Sequence, residues 1–171
     1  MGLTHITKIF NNIIQQGFPT DWKTSMEIPL LKSGDVNNPS NYRTIMINPF
    51  FAKLFGSMLE NKINTWAKER DKHAKGQAGF IPKHSTVDHC ITFRHIIEKF
   101  WEKKEEVFCC FVYFIKSFDT VPRDKIWQRM EELGVPRHLR AVVHRLYEEV
   151  KFKIRASGGI YESFRSDIGV K

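Results

Sequence analysis

The chain has 171 residues, 42% of them hydrophobic and 13% aromatic, with 27 Lys and Arg against 19 Asp and Glu and a formal net charge of +8. That length suits one domain with a core of its own, and the composition excludes a disordered or fibrous chain. The basic surplus suits a polyanionic partner such as nucleic acid, although charge alone fits a basic protein without such a partner equally well.

No apolar stretch approaches the roughly 20 residues of a membrane span, and residues 1–16 lack the apolar core and cleavage site of a secretory signal. The three cysteines are Cys90, Cys109 and Cys110. Neighbours on a strand point to opposite faces, so Cys109 and Cys110 do not bridge each other. Buried free thiols in a reducing intracellular setting, cytosol or nucleus, are expected, with no membrane as partner.

In chain order, Ile6, Ile9, Phe10, Ile13 and Ile14 recur at helical spacing and Gly17 closes the segment, which predicts an N-terminal helix over residues 1–16. Met26–Leu31 reads as a strand that Pro29 confines to an edge or a bulge. Ser33-Gly34-Asp35 and Asn37–Asn41 are turn chemistry. A helix from about Phe50 to Ala67 carries an apolar stripe through Phe51, Leu54, Phe55, Met58, Leu59, Ile63 and Trp66. Another starts at Ser85, with Asp88 three residues on as its capping partner. The continuous apolar run Val107–Ile115 predicts a central strand covered on both faces. Pro122 opens a helix that Gly134 closes. A helix over Arg137–Glu149 and a hairpin, Lys151–Arg155 turning at Ser157-Gly158-Gly159 into Ile160–Phe164, follow. The order is that of a mixed α+β domain.

A series of short motifs sharpens this. Trp22-Lys23, Ile28-Pro29-Leu30-Leu31-Lys32-Ser33-Gly34-Asp35, Asn41-Tyr42-Arg43-Thr44-Ile45 and Lys53-Leu54-Phe55 come in order. Gln77-Ala78-Gly79-Phe80, Ser85-Thr86-Val87-Asp88, Phe118-Asp119-Thr120-Val121 and Gly169-Val170 follow. Together they resemble the fingers and early palm of reverse transcriptases from non-LTR (LINE-type) retrotransposons, over about Gly17 to Lys171. The resemblance implies the fingers and an incomplete palm of a right-hand polymerase. Residues 17–106 would be fingers and residues 107–171 palm. The implied activity is RNA-directed DNA polymerase on an RNA template, with Mg²⁺.

Residue by residue, Lys32 and Arg43 match the triphosphate-binding Lys and Arg of that family. A planar, permanently charged guanidinium suits phosphate oxygens; outside this motif both would read as solvated loop charges. Gln77, Gly79 and Phe80 match the segment that tracks the template strand, where a glycine admits close backbone approach. Read alone, Gly79 is an ordinary turn residue. Phe118 matches the aromatic beneath the incoming sugar, whereas a Phe after an apolar strand is by itself a core residue.

The chain departs from the family at the chemistry. The family pattern Phe-x-Asp-x-x-x-Ala-Phe-Asp-x-Val reads here Phe111-Val112-Tyr113-Phe114-Ile115-Lys116-Ser117-Phe118-Asp119-Thr120-Val121. Tyr113 therefore occupies the position of the metal-binding Asp. A phenol with a pKa near 10 does not replace a carboxylate at Mg²⁺. Asp119, six residues and roughly 20 Å further along a strand, is expected not to stand in and to cap the following turn instead. No Asp-Asp dipeptide occurs in the sequence, and it stops at Gly169-Val170-Lys171, before the segment in which the family carries one. A truncated, inactive fragment with no metal or other cofactor is the expectation. The alternative is a non-catalytic nucleic-acid-binding module; an active enzyme completed by a second chain would still lack the carboxylate at Tyr113. His84, His89, Cys90 and His95 suggest no metal site, since His89 and His95 lie about 240° apart around a helix and match no common zinc spacing.

Overall fold

The computed structural model describes residues 2–170; Met1 and Lys171, the outer limits of the expected segments 1–16 and 17–171, lie outside the described residues. The element order is α1 (Gly2–Gln16), α2 (Thr20–Lys23), β1 (Thr24–Leu31), β2 (Tyr42–Ile47), α3 (Phe50–Glu69), α4 (Thr86–Glu102), α5 (Arg123–Glu132), α6 (Arg137–Leu146), β3 (Lys151–Ala156), β4 (Gly159–Ile160) and β5 (Phe164–Arg165). The mixed α+β class expected from the sequence is the class observed. Two compact units divide it. One combines the stretch up to Trp66 with the stretch from Lys116; the other is Ala67–Ile115.

The first unit is built on a five-stranded sheet in the order β2-β1-β3-β4, with β5 also pairing β3. β1 runs antiparallel to β2 from Met26↔Ile47 to Leu31↔Tyr42 and parallel to β3 from Thr24↔Lys151 to Glu27↔Ile154. The expectation that Pro29 makes β1 an edge strand holds only locally. At Met26 and Glu27 the strand is flanked on both sides; from Ile28 onward β3 no longer flanks it, and Pro29 sits where only β2 is a neighbour. A residue with no N–H donor is tolerated there because that side makes no ladder bond. β2 carries the β-branched and aromatic residues Tyr42, Thr44, Ile45 and Ile47, a strand signal masked by the turn residues before it.

The core gathers around Phe55, which is fully buried. Phe10 of α1 and Phe18 each meet its ring edge-on at 5.2 Å between centroids, and Trp22 lies 6.2 Å away. Such pairs add about 0.5–1.5 kcal/mol each beyond the area they bury. Leu59 and Trp66 continue the buried stripe of α3, whereas Phe51 and Leu54 at its start stay exposed. Leu139 and Val142 of α6 are buried, and the Arg145 guanidinium donates to the Ile14 carbonyl at 2.7 Å, tying α6 to the end of α1. α6 ends at Leu146 rather than Glu149, because Glu149 takes a left-handed φ of 54°. The second hairpin strand breaks into β4 and β5 instead of running through Ile160–Phe164.

In the second unit α4 begins as its sequence requires. The Ser85 N–H donates to Asp88 Oδ2 at 2.7 Å, satisfying a donor that the first turn would otherwise leave open. The strand expected at Val107–Ile115 does not form. This unit contains no strand among its described residues, so a ladder partner is lacking, and an apolar run without one has neither hydrogen-bond pairing nor a covering layer. Every residue from Val107 to Ile115 is exposed, Phe108 at 91%. Cys90, Cys109 and Cys110 are free, but exposed rather than buried, since two of them lie in that run and Cys90 sits on an open face of α4. Apolar surface of this extent drives association. The purified chain is expected to sediment as oligomers at micromolar concentration, and Phe108→Lys/Phe114→Lys to shift it toward monomer. A monomeric wild type under the same conditions would contradict this.

Candidate nucleotide and nucleic-acid interface

The loop between β1 and β2 is held by its own polar side chains. Asp35 Oδ1 accepts from the Asn37 backbone at 2.9 Å, Asn41 Nδ2 donates to the Asp35 carbonyl at 3.0 Å, and the Tyr42 hydroxyl donates to the Val36 carbonyl at 2.8 Å. Gly34 has φ +90°, and a Cβ there would come within 2.8 Å of Asn41 Nδ2. Such a turn presents its flanking residues in fixed register. Leu30 pairs with Arg43, and the Lys32 N–H donates to the Asn41 carbonyl at 2.9 Å, one step beyond the ladder. Lys32 and Arg43 are thus diagonal neighbours on one face, about 7–8 Å apart at the backbone. Both are exposed, and neither side chain has an ion-pair or hydrogen-bond partner among the described residues.

Phe118 belongs to the same unit and lies in a turn closed by the Asp119 and Thr120 N–H groups on the Lys116 carbonyl. It is 55% exposed, so it is not the core residue that its apolar context suggests. Its carbonyl accepts from the Val170 N–H at 2.9 Å, and the Gly169 N–H donates to the Val121 carbonyl at 2.9 Å. Gly169 has φ +80°, and a Cβ would stand 2.8 Å from the Asp119 carbonyl oxygen, so only glycine lets the two segments approach.

A residue that sequence reasoning passed over secures this contact. Arg123 opens α5 and is buried. Its guanidinium donates to the carbonyls of Gly169 (2.9 Å), Ser166 (2.8 Å) and Ile168 (3.0 Å), and lies 5.1 Å from the Tyr147 ring centroid. Burial lowers its pKa, a cost that the three carbonyls offset. An Arg in a helix's first turn gives no sequence signal for this, because its acceptors lie more than 40 residues away.

Asp119 lies in the turn closed on the Lys116 carbonyl, ahead of α5. Pro122 occupies the N-cap of α5 and makes no side-chain cap bond. Burial, and secondarily the Asp119 charge, push the Glu27 carboxyl above the ordinary range. Tyr113 and Asp119 are not six residues apart along one strand, because Val107–Ile115 is not a strand.

In the second unit, Gln77, Gly79 and Phe80 form the turn between α3 and α4. Gln77 Nε2 donates to the Gly79 carbonyl at 3.1 Å. Gly79 itself has no left-handed φ; Phe80 takes one, at 62°, and its side chain is 83% exposed. Tyr113 stands in the exposed run. Among the described residues no three His, Cys, Asp or Glu side chains are grouped so as to hold a metal ion. With a phenol at position 113, the donor set does not fit the Mg²⁺ that the resemblance implies. No helix is long and apolar enough to cross a membrane among the described residues.

The profile of the family described as reverse transcriptase (RNA-dependent DNA polymerase) matches residues 30–171. A Drosophila melanogaster protein named as a probable RNA-directed DNA polymerase from transposon BS is 29% identical over 157 residues, which is 90% of this chain and 17% of the relative. A putative 115 kDa protein in the type-1 retrotransposable element R1DM of the same organism is 28% identical over 134 residues, 76% of this chain and 12% of the relative. The chain therefore spans less than a fifth of the length of either.

Proposed function

The chain belongs to the reverse transcriptase (RNA-dependent DNA polymerase) family, and from that premise we propose that it is a fingers and early-palm segment that binds nucleic acid and nucleotide phosphates without polymerising. The β1–β2 hairpin supplies the fingers, with Lys32 and Arg43 as phosphate contacts. Phe118 is the sugar-facing aromatic, and Gln77, Gly79 and Phe80 are template contacts. No resident metal is proposed, because Tyr113 stands where the family carries its ligand. The polymerase activity in the name of the transposon BS relative is not carried over.

The observation that carries this reading is the hairpin register, which sets two exposed, unpaired cations side by side on one face. Like charges held together repel, and a phosphate relieves the repulsion. The test is a salt titration of binding to RNA and DNA by the wild type and by Lys32→Ala/Arg43→Ala. Two lost phosphate contacts should flatten the log–log slope by roughly 1.4 for a single strand and 1.8 for a duplex. An unchanged slope and affinity would show that these residues are not phosphate ligands.

A further inference from the structure

The +8 charge is not spread evenly, and the register shows where it collects. Residues paired across a ladder share a face, so Leu30↔Arg43 and Met26↔Ile47 place Arg43, Ile45 and Ile47 beside Met26, Ile28 and Leu30. The parallel pairs Thr24↔Lys151 and Met26↔Lys153 add Lys151, Lys153 and Arg155 of β3 to that face. Lys151↔Arg165 adds Arg165 of β5. With Lys32 just beyond β1, six cations share one side of the sheet, and no Asp or Glu of these strands lies on it, since Glu27 is on the other. The opposite side holds the buried Ser25 and Phe152 and faces the core, so the basic side faces solvent.

Exposure and pairing agree with an open site. Lys151, Lys153 and Arg155 are exposed, and their side chains have no ion-pair or hydrogen-bond partner among the described residues. Two carboxylates border one end of the face: Glu149, which pairs with Lys23 at 3.1 Å and also feels Lys151 and Arg165, and Asp167, which pairs with Arg165 at 3.2 Å; Lys153, Arg155, Arg43 and Lys32 have no such partner among the described residues. Lys151 stands directly opposite Arg165, an arrangement that costs stability in the free protein. Alternate residues on β3 recur about every 6.6 Å, a regular row of cations suited to the repeating phosphates of an extended strand. Leu30, Ile45 and Ile47, all exposed, leave apolar surface between the charges for unpaired bases.

We infer that this sheet face is a docking surface for single-stranded nucleic acid, in which Lys151, Lys153 and Arg155 form a second row of phosphate contacts alongside Lys32 and Arg43. The inference rests on the reading of the chain as a nucleic-acid-binding segment but concerns residues outside the family motifs. The β3 row would contact successive phosphates, and the hairpin pair would extend the same track across β1 and β2. Backbone contacts of this kind set register without reading sequence.

The test uses the full chain, a short mixed-sequence single-stranded RNA and fluorescence anisotropy over a salt series. Lys151→Gln/Lys153→Gln/Arg155→Gln alters only the exposed side of β3, leaving the Phe152 and Ile154 side in place, and circular dichroism checks the fold. Three lost contacts should flatten the slope by about 2 units, whereas Lys99→Gln/Lys103→Gln/Lys104→Gln, with the same loss of charge on α4 and beyond, should leave it nearly unchanged. Equal slopes for the two triple variants would overturn the inference, as would a triple variant on β3 that binds like wild type. Binding of wild type to phosphatidylserine vesicles but not to RNA would overturn it too. If the β3 variant keeps the wild-type slope while Lys32→Ala/Arg43→Ala loses it, the inference fails and the hairpin reading stands; the reverse pattern separates them the other way.

Discussion

Given a primed RNA template, Mg²⁺ or Mn²⁺ and deoxynucleotides, the purified chain is expected to extend no primer. Polymerisation depends on metal ions that neutralise the charge developing on the transferred phosphate, worth several kcal/mol of barrier. On the proposed reading the position of their carboxylate ligand falls to Tyr113, a phenol exposed in a run that forms no strand. Tyr113→Asp alone is expected not to create activity. One carboxylate gives one ligand, and among the described residues no group of three or more His, Cys, Asp or Glu side chains is placed to hold a metal ion. Binding of the template should meanwhile survive, because phosphate contacts and metal ligands are different residues. Template-dependent incorporation of labelled nucleotide above a no-template control, by wild type or by Tyr113→Asp, would sink the non-catalytic reading.

Arg123→Ala is expected to cost about 3 kcal/mol and to loosen the contact between Phe118–Val121 and Ser166–Val170. Three hydrogen bonds from a charged donor each contribute roughly 1.5–3 kcal/mol, but the sum is discounted because a released segment can rehydrate its carbonyls. Arg123→Lys keeps the charge but loses the planar fork, so it should recover only part of the loss. Hydrogen exchange in dilute protein measures the effect. The amides of Gly169 and Val170, which donate to Val121 and Phe118, should exchange much faster in Arg123→Ala, while those of the β1–β2 ladder change little. Uniform protection in wild type and variant would show that Arg123 holds nothing in place. Loss of protection throughout the sheet would show that it holds the whole unit.

Features depending on residues close in sequence were legible in the sequence. The Ser85–Asp88 pair placed the start of α4, Pro122 and Gly134 bracketed α5, and the stripe through Phe55, Leu59 and Trp66 marked α3. Capping and helical periodicity are satisfied within a few residues, whatever the rest of the chain does. The ordered motifs from Ile28 to Val170 likewise carried the family, because a family is a pattern in the sequence itself. The turn between Lys32 and Arg43 was legible in its residues, but the strand β2 that sets the two on one hairpin was not.

Tertiary structure alone decided the remainder. Val107–Ile115 has the composition of a buried strand, but a strand exists only where another offers its N–H and C=O groups, and composition cannot supply one. β1 became central rather than an edge because β3, more than 120 residues away, lies beside its first half. The role of Arg123 appeared only once Ser166–Gly169 came within hydrogen-bond reach. Lys151, Lys153 and Arg155 were a half-exposed strand by alternation alone; the register of β3 against β1 set them on the same face as Arg43. Sequence determined what each segment could become by itself, and tertiary structure decided which segments met, since pairing energy depends on a partner that no local pattern contains.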